Sequence, residues 1–177
     1  MIYLCHSGNM KHLVVSLMLA ACFCAATSVG ADEAMSCKVT AKFSSQDNMA
    51  AAVLDALRAA DKRITVALYG FNNKEFADEL AKLARKGIAV RVKIDTAKSS
   101  EKKTGQLIQT LRGAGAHVQT AAPGGRNHNK FAVIDGKTVL TGSYNWTLKA
   151  ETNWENLLII DCPELAKSYE AEWEKIR

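Results

Sequence analysis

The sequence has few of the residues from which metal centres are built. It contains four histidines and five cysteines in 177 residues, and His6, His12 and three of the cysteines precede residue 32. Among residues 32–177, no group of histidine, cysteine and carboxylate side chains has the spacing of metal ligands. Internal repeats and low-complexity stretches are lacking too. These absences exclude zinc modules and repeat architectures, and we expect a protein that needs neither a metal nor another cofactor.

Residues 1–31 have the composition of a secretory leader. A short basic start precedes an almost unbroken apolar run at 13–26, and small residues then end in a Val-x-Ala pattern at Ala31. This pattern predicts a cleaved signal peptide over residues 1–31, with Met10 as an alternative start, and a periplasmic or secreted protein. A retained membrane anchor and a lipoprotein cleavage site at Cys22 are the competing interpretations.

Residues 32–177 have the length of a single domain and a modestly basic charge. They contain all but one of the 23 Lys and Arg residues and all 18 acidic residues, which leaves a net charge of +4. This charge suits a polyanionic partner such as nucleic acid or an anionic membrane, although it is also an ordinary charge for solubility. Cys37 and Cys162 form an even pair in an exported protein and invite a disulfide, which would tie the amino-terminal segment to the sheet.

Hydrophobic periodicity predicts an alternation of strands and helices. Alternating or continuous apolar runs predict strands over residues 38–43, 63–71, 88–95, 117–121, 130–134, 138–141 and 155–161. Stretches with one apolar face predict helices over residues 47–60, 74–86, 106–112 and from Pro163 onward. Segment 96–105 contains Lys98, Lys102 and Lys103 and is predicted as an exposed basic loop. The order of elements predicts an α/β fold, a mixed sheet flanked by helices on both faces.

The candidate chemistry begins at His128 and Lys130. These residues are two apart at the start of a predicted strand, so their side chains project to the same face. A neutral imidazole is nucleophilic and can also act as an acid, and a lysine supplies a fixed positive charge for phosphate oxygens. The pair therefore indicates attack on a phosphate ester without a metal.

A second group of polar residues follows the pair. Ser143 and Asn145 are again two apart and suit hydrogen bonding to phosphate oxygens, while Gly142 allows a close approach of backbone to ligand. Asp135 opens a predicted tight turn with Gly136, where aspartate is common for turn geometry alone. We therefore assign Asp135 a structural role and Lys130, Ser143 and Asn145 a phosphate-binding role.

The full pattern is His-x-Lys, four residues, Asp, six residues and Gly-Ser-x-Asn, and it resembles the HKD signature of the phospholipase D superfamily. The resemblance covers essentially all of residues 32–177, where it includes the order of elements and a Ser-Tyr-Asn-Trp-Thr segment, and the leader that precedes them is a further shared feature. The sequence is similar to small exported endonucleases with a single motif, and this similarity implies a phospholipase D-like nuclease domain. It also implies that Glu155 holds Nδ1 of His128 so that Nε2 attacks, with Glu151 as a competing candidate.

A single motif supplies only one catalytic imidazole. His117 lies outside the motif and is predicted to be an ordinary strand residue. Cleavage through a covalent intermediate needs both a nucleophile and an acid for the departing oxygen. The resemblance implies that two copies share one site in a homodimer, where one His128 forms a phosphohistidine and the partner's His128 protonates the leaving group.

The leading hypothesis is a metal-independent, non-specific endonuclease that cleaves DNA, with RNA as an alternative substrate. Four cationic side chains are candidates for a path along the nucleic-acid backbone: Lys98, Lys102, Lys103 and Arg126. The competing hypotheses are a phospholipase D or cardiolipin-type phospholipid hydrolase and a catalytically silent nucleic-acid-binding module. Residues 32–177 lack an aromatic-rich amphipathic helix, so no stable membrane association is expected after removal of the leader.

Overall fold

Seven strands form one mixed sheet in the computed structural model, which describes residues 36–121 and 124–177. The strands are β1 (Lys38–Phe43), β2 (Arg63–Leu68), β3 (Ala89–Asp95), β4 (His117–Ala121), β5 (Lys130–Ile134), β6 (Thr138–Gly142) and β7 (Asn156–Asp161). Their order across the sheet is β1-β7-β6-β5-β2-β3-β4. Strands β2, β3 and β4 run parallel, and the other neighbours are antiparallel. The leader predicted over residues 1–31 lies outside the described residues.

Helices cover both faces of the sheet, as the sequence predicts. They are α1 (Met49–Arg58), α2 (Lys74–Arg85), α3 (Thr96–Ser99), α4 (Lys102–Gly113) and α5 (Pro163–Lys175), with a 3₁₀ helix at Leu148–Thr152. Apolar residues of α1, α2 and α4 form the larger core on one face, and those of α5 form a second core on the other. Strand β5 serves both cores, since Ala132 and Ile134 lie in the first and Phe131 and Val133 in the second.

The prediction of an exposed loop over residues 96–105 is wrong. The carboxylate of Asp95 accepts hydrogen bonds from the backbone N–H groups of Ala97 and Lys98, so α3 starts directly after β3. Helix α4 then begins at Lys102, four residues before the predicted start. Its first turn is held by Thr104, whose buried hydroxyl donates to the carbonyl of Phe71. Apolar periodicity alone misses this start because the first turn carries lysines on its exposed side.

Cys37 and Cys162 are joined by a disulfide. Cys37 precedes β1, Cys162 precedes α5, and their sulfur atoms are bonded. Strand β1 lies at one edge of the sheet and pairs only with β7. The crosslink therefore fastens an edge strand to the turn that leads into α5, and Cys162 is fully buried there.

The turn between β5 and β6 is organised by Asp135. Asp135 and Gly136 have φ values of 52° and 67°, which aspartate and glycine adopt more readily than most residues. The Asp135 carboxylate accepts hydrogen bonds of 2.8–2.9 Å from the backbone N–H groups of Asp61, Lys62 and Arg63. Asp135 thus links the turn to the start of β2, and within the described residues its carboxylate accepts hydrogen bonds from backbone N–H groups alone.

Replacing Asp135 with asparagine is expected to lower the free energy of unfolding by about 1–2 kcal/mol at neutral pH, because bonds to a charged acceptor are stronger than bonds to an amide. Burial acts to raise the pKa of Asp135, but the three backbone donors hold this pKa below its ordinary value of 3.8. A lowered folded-state pKa contributes stability above the unfolded-state pKa. That contribution is lost as the pH falls through the folded-state pKa.

Urea unfolding of the wild type and Asp135→Asn from neutral pH to about pH 3 measures this contribution. We expect the difference in unfolding free energy to shrink as the pH falls. Asp61→Asn is the matched control, since the Asp61 side chain is exposed and makes no hydrogen bond among the residues described. An equal loss in both variants would show that general charge, and not the Asp135 hydrogen bonds, is responsible.

Candidate active site

The residues of the motif meet at one edge of the sheet. Strands β2 and β3 end at this edge, β6 ends there too, and the antiparallel strands β5 and β7 start there. His128 precedes β5, Ser143 follows β6 and Glu155 precedes β7. Ligand sites of α/β sheets lie outside the carboxyl ends of the parallel strands, and this group occupies that position.

Hydrogen bonds of the two neighbouring asparagines hold the loop that carries His128 in place. Asn127 is buried, and its backbone N–H donates to the carboxylate of Asp95, 3.0 Å away. The amide of Asn129 donates to the side-chain oxygen of Asn127 at 2.9 Å, and the carbonyl of Asn129 accepts from the N–H of Tyr69 at 2.7 Å. These contacts leave His128 itself exposed, on the solvent side of a fixed backbone.

Lys130 contacts His128 directly. Its ammonium lies 3.1 Å from Nδ1 of the imidazole and donates to the carbonyl of His128 at 2.7 Å. Since an ammonium group only donates, Nδ1 accepts and the ring proton of the neutral imidazole sits on Nε2. Burial lowers the pKa of Lys130, and the negative charge of Glu155 acts in the opposite direction. In this arrangement Nε2 is a donor and not yet a nucleophile.

Ser143 and Asn145 share a face, because the residues between and after them point inward. Tyr144 and Trp146 are buried, and both rings pack against Phe76. The alternation leaves the hydroxyl of Ser143 and the amide of Asn145 on the outer side. The oxygen of the Asn145 amide accepts from the N–H of Gly70 at 3.3 Å, which leaves its NH₂ group facing away from that bond.

Glu155 contacts Ser143 and not His128. Its carboxylate accepts from the hydroxyl of Ser143 and, at 3.0 Å, from the amide of Asn153. Its backbone N–H donates to the hydroxyl of Ser44 at 2.8 Å, which fixes it at the start of β7. The competing candidate Glu151 accepts from the hydroxyl of Tyr144. The structure thus brings Glu155 into the site, although the contact with Nδ1 implied by the resemblance is absent from the hydrogen bonds among the described residues.

Glycine is required at position 142 by a close backbone approach. A Cβ atom there would collide with the carbonyl of Asn156. The same stretch is held by two hydrogen bonds between Ser143 and Asn156, from the N–H of Ser143 at 3.2 Å and to its hydroxyl at 3.0 Å. Gly142 therefore lets β6 and β7 come together so that Ser143 and Glu155 meet.

Two further residues complete the site, and sequence reasoning misses both. Tyr69 follows β2, and its ring lies 4.4 Å from the ring of His128, centroid to centroid. Asp95 ends β3 and supports both the His128 loop and the start of α3. The sequence predicts a single strand over residues 63–71, and nothing within this apolar run marks Tyr69 as a site residue. An acidic residue at the carboxyl end of a predicted strand is the signal that points to Asp95.

The basic residues proposed to guide nucleic acid do not all lie together. The ammonium of Lys98 is 5.4 Å from the ring centroid of Tyr69, and the guanidinium of Arg126 is 3.5 Å from the Tyr69 hydroxyl. Lys102 and Lys103 are exposed residues of the first turn of α4. Of the four candidates, two therefore border the site.

Neither a metal cluster nor a membrane span is found over residues 36–121 and 124–177. In this part of the chain, no group of three or more histidine, cysteine or carboxylate side chains could hold a metal ion. No helix in the same residues has both the length and the apolar character to cross a bilayer.

Comparison with known proteins relates this site to a family. The family model described as cardiolipin synthase, PLD-like domain, matches residues 53–177. The mitochondrial cardiolipin hydrolase of Xenopus laevis is 36% identical over 131 residues, which cover 73% of this chain and 61% of that protein. The chain thus spans about three fifths of the length of this curated relative.

Two solved structures have the same fold. Nuc from Salmonella typhimurium, a phospholipase D family member, superposes with a TM-score of 0.76 and 26% identity over 80% of this chain and 94% of its own. NucT from Helicobacter pylori superposes with a TM-score of 0.69 and 23% identity, over 80% and 96% respectively. With the family match over most of the chain and the HKD residues gathered at one edge of the sheet, this chain belongs to the phospholipase D superfamily.

Proposed function

We propose that the protein is a metal-independent phosphodiesterase that cleaves DNA, at a site completed by a second copy of the chain. The observation that carries the proposal is the grouping of an exposed imidazole, a lysine, a hydroxyl and an amide at one sheet edge. These are His128, Lys130, Ser143 and Asn145. Nucleophile, cation and hydrogen-bond donors are the groups that phosphodiester cleavage requires in the absence of a metal.

A bound phosphate would change the partners of two of these side chains. Lys130 donates to Nδ1 of His128, and Ser143 donates to Glu155. Both donors can turn to phosphate oxygens, which are stronger acceptors. This exchange frees Nδ1 of His128 and the carboxylate of Glu155 at the same time. The imidazole can then change tautomer, with its ring proton passing from Nε2 to Nδ1 through solvent. Glu155 accepts a hydrogen bond from the resulting Nδ1–H, and the lone pair of Nε2 becomes available for attack.

The reaction proceeds in two displacements. In the first, Nε2 of His128 forms a bond to phosphorus while the bond from phosphorus to the leaving oxygen breaks, and the partner's His128 gives that oxygen a proton. In the second, the partner's His128 takes a proton from water, whose oxygen displaces Nε2 from phosphorus. Lys130 stabilises the added charge on the phosphoryl oxygens in both steps. The products are a phosphomonoester and a free hydroxyl.

Exposed apolar side chains beside the site support a second copy. Trp154 is 88% exposed and precedes Glu155, and Phe43 is 47% exposed and precedes Ser44. Ser44 holds the segment around Trp154 through the backbone of Asn153 and Glu155. Large apolar side chains in such exposed positions are typical of surfaces that pack against another protein. A two-fold contact here brings the two copies of the site together.

DNA is preferred as the substrate because aromatic and cationic side chains border the site, at Tyr69, Lys98 and Arg126. The fold is also similar to that of Nuc over 94% of that chain. Aromatic stacking and cationic phosphate contacts are the usual means of binding single-stranded nucleic acid without sequence preference. A periplasmic or secreted location, as proposed from the leader, is compatible with such a substrate.

A phospholipid hydrolase is the second candidate, favoured by the 36% identity to a mitochondrial cardiolipin hydrolase. Purified protein should be given plasmid DNA and cardiolipin vesicles in parallel, each in excess EDTA. We expect nicking and linearisation of the plasmid without added metal, and little release of lipid headgroup. Loss of DNA cleavage in EDTA with recovery in magnesium would contradict the metal-independent mechanism. Faster turnover of cardiolipin than of DNA would favour the lipid hydrolase.

A further inference from the structure

A cleft of about 280 Å³ opens beside the catalytic residues. It shares Asn145 with the proposed phosphate site, and one of its walls is Tyr69, whose ring contacts that of His128. Its other polar lining includes Lys98, Glu101, Lys149 and Asn153. The volume lies just below the range of about 300–1,000 Å³ for small-ligand sites, so the cleft suits one small unit of a longer substrate.

The aromatic ring of Tyr69 lines one side of the cleft, and the residue is held in place. Its backbone N–H donates to the carbonyl of Asn129, which ties it to the loop that carries His128. Its ring is tilted by 44° to the imidazole. The ammonium groups of Lys98 and Lys130 lie 5.4 Å and 5.5 Å from its centroid. The ring therefore contacts the imidazole and also lies close to Lys98, a cation of the cleft.

Two lysines give the cleft its positive charge. Lys98 lies on α3, where the carboxylate of Asp95 accepts from its backbone N–H. A hydrogen bond of 2.6 Å to Glu101 raises the pKa of Lys98, so the ammonium stays charged. Lys149 lies on the 3₁₀ helix, is exposed, and makes no ion pair within residues 36–121 and 124–177. Glu101 offsets one of these two charges.

We propose that this cleft is a subsite for the phosphate next to the one that is cleaved. Lys98 and Lys149 bind the neighbouring phosphate, and the nucleoside between the two phosphates packs against Tyr69. The inference rests on the proposed function, because it assumes that His128 attacks a nucleic-acid strand. With this subsite, the enzyme prefers a strand with successive phosphates to an isolated phosphodiester, and the negative charge of Glu101 weakens this preference.

The test compares two substrates in each variant. Bis(p-nitrophenyl) phosphate has one phosphodiester and no neighbouring phosphate, whereas a short thymidine oligonucleotide has many. The measured quantity is the ratio of kcat/KM for the oligonucleotide to kcat/KM for the small ester. We expect Lys98→Gln combined with Lys149→Gln to lower this ratio about tenfold, mainly through KM. The salt dependence of the oligonucleotide KM should also become less steep, by about one to two units of slope.

Matched variants separate the subsite from general charge. Lys102→Gln combined with Lys103→Gln removes the same charge from exposed residues of the first turn of α4, outside the cleft, and should leave the ratio within about twofold. Glu101→Gln removes the opposing carboxylate and should raise the ratio. Tyr69→Leu should lower it, and Tyr69→Phe should keep it, because the ring and not the hydroxyl forms the wall.

The outcomes for the subsite and for the proposed function are distinct. If the wild type hydrolyses neither substrate, the proposed function fails. If it hydrolyses both and the Lys98 and Lys149 changes leave the ratio unaltered, the subsite fails and the function stands. An equal fall in the Lys102 and Lys103 control would also overturn the subsite. So would a loss of cardiolipin turnover in the Lys98 and Lys149 variant with no change for the oligonucleotide.

Discussion

Replacing His128 with alanine is expected to lower the rate of phosphodiester cleavage by about 10⁴-fold or more. The imidazole forms the covalent bond to phosphorus in the proposed mechanism, and His128 is the one histidine placed at the site over residues 36–121 and 124–177. Initial rates with plasmid DNA and with bis(p-nitrophenyl) phosphate measure the loss. His117→Ala is the matched control, because His117 is an exposed residue of the edge strand β4.

The same variant tests whether two chains share one site. Wild type and His128→Ala are unfolded together, mixed in equal amounts and refolded, so that mixed dimers form. If each site needs both imidazoles, mixed dimers are inactive, and we expect about one quarter of the wild-type activity. Independent monomeric sites would retain about one half. Intact cleavage by His128→Ala alone would leave the catalytically silent binding module, with activity from a contaminant, as the better interpretation.

Much of the fold follows from patterns that the sequence displays. The sequence predicts each strand of the sheet within three residues of its observed bounds, because strands such as β3 alternate apolar and polar residues and β7 has an apolar run at its centre. The least accurate region was residues 96–105. There, α3 depends on a carboxylate cap from Asp95 and α4 on a buried hydroxyl at Thr104. Single polar contacts of this kind leave no periodic signal.

The candidate site, like the fold, is predicted from the sequence only in part. The motif spacing indicates that His128, Lys130, Ser143 and Asn145 are site residues. Successive side chains of an extended segment alternate between its two faces, so the residues of each pair, which are two apart, face outward together. Which of these side chains contact each other cannot be predicted from the sequence. Spacing cannot show that Lys130 lies on Nδ1 of His128 or that Ser143 lies on Glu155, because both contacts depend on how β5, β6 and β7 are juxtaposed. Tyr69 was missed because nothing in an apolar strand marks the one residue that emerges beside an imidazole.

Replacing Glu155 with glutamine is expected to lower kcat by about 10⁴-fold, the size of the effect when the carboxylate that orients a catalytic histidine is replaced by an amide. Glu155 contacts Ser143 in this structure, so two roles must be separated. If Glu155 only positions Ser143, the Glu155→Gln loss will not exceed that of Ser143→Ala. If it accepts a hydrogen bond from Nδ1–H of His128 once phosphate has displaced Lys130 and Ser143, the Glu155→Gln loss will be far larger.

A double-mutant cycle decides between these roles. We expect Ser143→Ala to lower kcat by about 10- to 100-fold, since it removes one hydrogen bond to the phosphate. Once Ser143 is gone, Glu155→Gln should still cause most of its own loss, because its main partner in the reaction is His128. Glu151→Gln is the control, since Glu151 is bound by the hydroxyl of Tyr144. If the Glu155 effect vanished in the Ser143→Ala background, the carboxylate would serve the hydroxyl alone, and another group would have to set the tautomer of His128.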